Sequence, residues 1–391
     1  MNSMENNKKM GVDSASSTPS FWQKTRQFLY TTLNAMTFGI FGTIVVGAIV
    51  QTLGLVFGID VLSTRVSTVL TQLLGMGIGL SVGLSLKLNG LKLVMLSVAG
   101  GIAGLVRVNF NLPGWFEPTA ISNNPITIYL VVVATYLIIE LIFKKKTVYD
   151  LFFIPLIGVF AAVASVYIVS WPIDRLMEAI YATIRFFMQA EPYTTSAFVG
   201  LIFGILLTLP FISSAGVAIA VFSVPFGVGG GVPDSFAIAA MCAAVVGCTA
   251  QMIGFSVQTI RKNDIGTIFT VGLASSMFQF KNVMKKPMTW APTLIASFVL
   301  PPVAFALFNG YDWFIDVINQ GHTFTAAWPG MGSSGLVGQI QTLTIAGFTT
   351  EAWLFVAYQI IIPAILVLLL DVLFIRLKWY GELDLLLDTT L

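Results

Sequence analysis

Charged side chains are scarce in this sequence. They make up 10% of its 391 residues, against roughly 25% in a soluble domain. Cysteine is limited to Cys242 and Cys248, both within one apolar stretch. That excludes a disulfide framework and leaves no metal-ligand spacing. The single histidine, His322, does not complete a metal site with them. No Walker A sequence, GxSxG or HExxH occurs, so ATP hydrolysis, serine hydrolysis and zinc proteolysis have no motif to rest on. No cofactor is expected, and a net charge of +2 points to no nucleic-acid partner. Residues 1–20 are polar and lack the apolar core and small-residue cleavage site of a signal peptide. They predict a disordered cytoplasmic tail.

What is abundant is apolar. Hydrophobic residues make up 56% of the chain, and the mean hydropathy is +0.88. Long apolar stretches predict an all-α polytopic membrane protein, and the alternating pattern of an outer-membrane barrel is absent. A spanning helix needs ~20 mostly apolar residues. Candidates are 33–58, 66–86, 91–108, 125–143, 148–170, 196–209, 235–257, 289–308 and 352–377. The stretch 265–280 is weaker, being short and interrupted by polar residues. Counting weak and broken spans, about ten crossings are predicted. The transmembrane domain covers 31–378, with a C-terminal cytoplasmic tail at 379–391. Both tails are too short to hold a core.

At 21–30, Lys24 and Arg26 stand beside Phe21, Trp22, Phe28 and Leu29, which predicts an amphipathic interfacial helix. Lys8, Lys9, Lys24 and Arg26 place the N-terminus inside, and Arg376 and Lys378 place the C-terminus inside. At 171–191, Asp174, Arg175, Glu178 and Arg185 alternate with apolar residues at helical spacing. That predicts a second amphipathic helix, lying in the interface or lining a wet groove. A plain surface helix is the simpler account.

Two segments break the apolar monotony. The first reads Thr208-Leu-Pro-Phe-Ile-Ser-Ser-Ala-Gly216. Pro210 removes a backbone donor, and Ser213, Ser214 and Gly216 supply hydroxyls and freedom just after the break. The second is a glycine-rich run, Trp328-Pro-Gly-Met-Gly-Ser-Ser-Gly-Leu-Val-Gly-Gln-Ile340. Lipid cannot satisfy an irregular backbone, so such runs persist at membrane depth only where protein encloses them or water reaches them. An ordinary external loop is the alternative for the second, and a proline kink with helix-packing serines for the first. The short apolar runs after each break predict two re-entrant hairpins, at 210–223 and 333–348. Paired broken elements in the two halves of a chain point to a transporter binding site.

A third polar site is Gly247-Cys-Thr-Ala-Gln-Met-Ile-Gly254, with Gln251 near the middle of a span. A buried amide there faces a cavity or another helix. Ser275, Ser276 and Gln279 form a similar cluster, and Asn123-Asn124-Pro125 is placed to cap a helix. The predicted binding residues are Ser213, Ser214, Gln251, Ser334 and Gln339. No acidic residue lies at the centre of a strong span, where cation-coupled transporters usually carry one. That favours a neutral polyol held by hydroxyls, amides and backbone groups. A proton symporter stays open, since Glu191 or Asp234 can sit in a cavity.

The runs Thr208-Leu-Pro-Phe-Ile-Ser-Ser-Ala, Val246-Gly-Cys-Thr-Ala-Gln-Met-Ile-Gly-Phe-Ser256 and Gly330-Met-Gly-Ser-Ser-Gly-Leu-Val-Gly-Gln-Ile340 together resemble the EIIC type 2 membrane components of the phosphotransferase system, a group that includes PfoR-like proteins. The likeness runs from about Thr31 to the last span. It implies an EIIC-like fold in the bacterial plasma membrane, usually homodimeric, moving a sugar by an elevator-like displacement. Phosphorylation would come from separate IIA and IIB proteins, neither of which is part of this chain. The His and Glu sugar-site motifs of other EIIC groups are missing. The expectation is therefore a permease for a neutral polar solute. A ligand sensor or regulator without net transport, and a proton-coupled transporter of an organic solute, are the alternatives.

Overall fold

The computed structural model describes residues 20–108, 116–117, 124–222, 235–314 and 327–387. The tail before Ser20, Asp234, His322 and the glycine cluster at 227–231 lie outside them. Among the described residues six helices are long and apolar enough to cross a bilayer. They are α1 (Phe21–Phe57), α5 (Pro125–Ile142), α6 (Asp150–Met188), α9 (Ser235–Thr259), α12 (Pro287–Leu307) and α14 (Thr350–Arg376). Between the first two, α2 (Val61–Gln72) and α3 (Leu74–Ser85) are apolar helices bent by 46° at a short break, and α4 (Gly90–Leu105) is a shorter apolar helix. Another shorter apolar helix, α7 (Pro192–Thr208), follows α6. The remaining helices are short: α8 (Ser214–Phe222), α10 (Ile265–Leu273), α11 (Phe280–Lys285) and α13 (Val337–Ile345). Among the described residues the one extended pairing is β1 (Arg107–Val108) with β2 (Phe116–Glu117). The chain is a polytopic all-helical membrane protein.

Local chemistry explains several helix starts. Asn124 accepts from the Ile126 N–H, with Pro125 at the first helical position, as the Asn-Pro pair suggested. Glu191, Asp264 and Thr349 cap α7, α10 and α14 in the same way. Three expected elements come out differently. Residues 21–30 are the first turns of α1, which runs on through a π turn at Phe41–Val45. The span at 148–170 and the amphipathic stretch at 171–191 are one 39-residue helix, α6. Pro172 costs one backbone bond there, but Ile173, Met177 and Ile184 keep one face buried past it. Residues 379–387 do not form a free tail; Tyr380 and Leu385 pack into the body.

Two large apolar cores divide the bundle, with a smaller third around Phe255, Phe278 and Tyr380. One gathers α1, α3, α4, α5 and the first part of α6 around Ile78, Leu96, Val131 and Val132. The other gathers the rest of α6 with α7, α8, α9, α12 and α14. Helix α9 is the axis of the second, with 94% of its most apolar window buried, against 33–44% for the other spanning helices. A helix enclosed on all sides needs small residues so that its neighbours can approach, and α9 is rich in Ala, Gly and Cys. Glycine is required at the closest crossings. A Cβ on Gly247 would lie 2.0 Å from the Gly200 carbonyl oxygen, and one on Gly75 would lie 2.0 Å from that of Gly100.

These contacts are backbone to backbone, so no side chain can yield. Gly75→Ala and Gly247→Ala should each destabilise the folded protein by about 1–3 kcal/mol or more, the scale of overpacking. Gly42→Ala, whose Cβ would meet nothing within 4 Å, should leave stability unchanged or slightly higher. Thermal unfolding of the three purified variants in detergent measures the difference.

Candidate functional site

The two sequence breaks meet in space. Helix α7 ends at Thr208, and α8 starts at Ser214. Nine residues of helix rise about 14 Å, well short of the ~30 Å apolar thickness of a bilayer. Ser213 Oγ accepts from the Gly216 N–H at 3.1 Å and caps the new helix. Ser214 Oγ donates to the Gly330 carbonyl at 2.6 Å. Gly330 is obligatory at that contact, since a Cβ there would lie 2.3 Å from the Ser214 oxygen. The second break is enclosed by protein: Trp328 and Ser333 are fully buried, and Ser334 nearly so. It is not an ordinary external loop.

The geometry of that run follows from its glycines. Gly332 (φ +53°) brings the chain against Cys248 of α9, and Gly335 (φ +54°) brings it against Ile49 of α1. Side chains at either position would meet both a left-handed backbone and a neighbour. The serines between them satisfy another broken element. Helix α10 stops at Leu273, and its last carbonyls would be orphans. Ser333 Oγ donates to Gly272 O at 2.7 Å, and Ser334 Oγ donates to Ala274 O at 2.8 Å. The weak span expected at 265–280 is therefore a short helix, a break at Ala274 and Ser275, and a 3₁₀ turn at Ser276–Gln279.

A cavity lies where these breaks converge. Ser213, Ser214, Ser275 and Ser334 line it, with Met277 and Met331. Ile44 and Val45 from the π turn of α1, with Ile40 just before it, close the apolar side. Its volume is about 50 Å³. That accommodates a few waters and falls far below the ~300–1,000 Å³ of usual ligand pockets.

Of the five residues expected to bind, Ser213, Ser214 and Ser334 line this cavity. Gln251 stands behind it in a polar knot. Its carbonyl oxygen accepts from Trp290 Nε1 (2.9 Å), Thr293 Oγ1 (2.9 Å) and Thr208 Oγ1 (3.2 Å). Its amide donates to Ser297 Oγ (3.0 Å), which donates on to Gly247 O. Helices α7, α9 and α12 are joined there. Thr208 also meets Ser276 at 3.1 Å, which links the knot to the edge of the cavity. Gln339 sits deeper between α9, α13 and α14. Its amide donates to Thr249 Oγ1 (3.1 Å) and Gln359 Oε1 (2.9 Å). Gln339 Oε1 and Gln359 Nε2 remain buried without a partner. Whichever way the two amides are turned, one donor and one acceptor stay unmatched.

Sequence reasoning missed Gln359, although an amide inside the apolar run 352–377 was a readable signal. It also missed the π-turn aliphatics, which nothing in an apolar helix marks out. Among the described residues no group of His, Cys, Asp and Glu could hold a metal ion.

Broken helices and buried hydroxyls inside a bundle are features of membrane transporters. The family model for the phosphotransferase system EIIC component matches residues 30–387, so the chain belongs to the EIIC family, in its type 2 group. It is a membrane permease component of that system in general terms. Comparison with curated proteins and with solved structures finds no match.

Gln251→Leu removes the acceptor shared by Trp290, Thr293 and Thr208, of which the two threonines keep a backbone acceptor. An unsatisfied buried donor costs about 1–3 kcal/mol, so this variant should unfold at clearly lower temperature. Gln359→Leu should cost less, because its Nε2 is already unpartnered. Differential scanning of both proteins in the same detergent checks the order.

Proposed function

We propose that this protein is a permease for a neutral polar solute, a sugar or sugar derivative, working by elevator-type alternating access. The observation that carries this reading is the meeting of the two broken elements, through Ser214 and Gly330, beside a serine-lined cavity. Hydroxyl-rich surroundings without a carboxylate suit a neutral polyol. The solute-binding residues in this reading are Ser213, Ser214 and Ser334. Gln251 and Gln339 complete the set from behind the wall. The short helices α8 and α13, each preceded by irregular backbone, act as re-entrant hairpins. The small cavity is the closed form, and solute enters after the wall opens.

The rest of the reading follows from the family and from charge placement. The protein sits in the bacterial plasma membrane, surrounded by lipid, as a homodimer with both termini cytoplasmic. Separate IIA and IIB proteins supply any phosphoryl group. Cysteines introduced near Lys9 and Thr389 should resist an impermeant reagent added to intact cells. Labelling of either from outside overturns this orientation.

The function is tested in proteoliposomes with a panel of labelled sugars, with and without phosphoenolpyruvate and IIA/IIB proteins. Uptake of at least one sugar is expected, and Ser213→Ala, Ser214→Ala or Ser334→Ala should raise its KM by about tenfold, the scale of one or two lost hydrogen bonds. Binding without uptake would make the protein a sensor. Uptake abolished by collapsing a pH gradient would make it a proton-coupled transporter. Either result replaces the sugar-permease reading.

A further inference from the structure

The chain after the last long helix has a task that its composition does not advertise. Lys378 adopts φ +59°, and the backbone turns back across the end of the bundle. Tyr380 and Leu385 are each 2% exposed, packed with Phe255, Val271, Phe278, Val283 and Phe374. Tyr380 donates to Asp371 Oδ1 at 2.6 Å and accepts from Gln258 Nε2 at 3.1 Å. Lys262 and Arg261 pair with Glu382, and Lys286 pairs with Asp384 at 3.0 Å. These partly exposed ion pairs contribute little each. The stronger attachment is to the backbone of the strap. Asn263 Nδ2 and Gln279 Nε2 both donate to Leu385 O at 3.1 Å. Asn282 Nδ2 donates to Leu386 O at 3.0 Å, and Asn263 Oδ1 accepts from the Leu387 N–H at 2.9 Å.

Two of those amides belong to the element beside the cavity. Gln279 is fully buried at the end of the 3₁₀ turn, and Asn282, 5% exposed, is on α11. Gln279 Oε1 accepts from Asn282, so the pair is one unit. Directly before it come Ser275 and Met277, which line the cavity. The irregular segment between α10 and α11 is thus held at one end by Ser333 and Ser334 and at the other by the strap. With the strap gone, buried amides lose their acceptors, at a cost that favours rearrangement.

We propose that residues 379–387 are a positioning strap, which holds the Ser275–Met277 wall of the cavity in place through Gln279 and Asn282. Its meaning for transport rests on the permease reading; its geometry does not. The test uses the full chain with Met277→Cys, a cavity residue whose side chain makes no hydrogen bond, and a water-soluble maleimide in detergent. Native Cys242 and Cys248 are fully buried, and the labelling of the parent protein is subtracted. Ser165→Cys, a buried residue of α6 outside the segment that the strap holds, serves as the control. Removing 379–391 should speed labelling at position 277 by about tenfold or more, as expected for the loss of at least one or two such bonds, and leave position 165 unchanged. Asn282→Asp, nearly isosteric but unable to donate to Leu386 O, should give a smaller rise at position 277. It decides the question if the truncated chain does not fold. An unchanged rate at position 277, or an equal rise at both positions, overturns the proposal. No solute is used, so failure of the permease reading leaves this result standing.

Discussion

Irregular backbone inside a helical membrane bundle must find its hydrogen bonds within the protein, because lipid offers none. Much of this molecule can be derived from how that demand is met. Helix α10 ends in the interior, and its carbonyls need donors. Ser333 and Ser334 provide them, which fixes the glycine-rich run against α10. The Gly330 carbonyl is exposed by the same run, and Ser214 satisfies it. Two of the three breaks are completed by a hydroxyl from another break, and the first is capped by its own Ser213. None of the three would be stable alone at that depth, so they occur together, and the cavity is the space left among them.

Close packing sets the frame in which those hydroxyls can reach. The Gly200–Gly247 crossing draws α7 onto α9, and that approach brings Thr208 within reach of Gln251. The knot around Gln251 in turn gathers Trp290, Thr293 and Ser297 from the α12 side. Small residues and polar residues therefore cooperate: the first permit the distance, the second use it. In the other half, Gly75 and Gly100 bring α3 and α4 equally close with no such knot beside them. The polar chemistry is concentrated on one side of the bundle, where the breaks are.

The sequence made the breaks legible because Pro, Gly and Ser are conspicuous against an apolar background. Pro210, Ser213, Ser214 and the 328–340 run are such signals, and the Asn124-Pro125 cap is another. Gln251 was equally visible, but its four partners are not. They come from positions 208, 290, 293 and 297, and only the fold brings them together. The boundary read between residues 170 and 171 is absent, because Pro172 lies inside α6 and the apolar face of Ile173 and Met177 carries the helix through it. The strap was the least legible element. A polar segment after the last span has the composition of a tail. Its anchors, Asn263, Gln279 and Asn282, lie more than a hundred positions earlier, as the separations of their bonds show.

The cavity is too small for a solute as it stands, and the structure limits where it can grow. The glycine crossings cannot widen without losing close backbone contacts along whole helices. The serine-to-carbonyl bonds can break only if the freed carbonyls gain new donors, which hydroxyls of a polyol would supply. The remaining wall is Met277 and Met331 facing the aliphatic side chains of the π turn. Methionine repacks readily because it is unbranched and polarizable, and a π turn is an irregularity within an otherwise regular helix, often found at functional sites. Opening is therefore least costly between the π turn of α1 and the methionines of the two breaks. A polyol arriving there would exchange its own hydroxyls for those of Ser214 and Ser334 at the carbonyls they now satisfy.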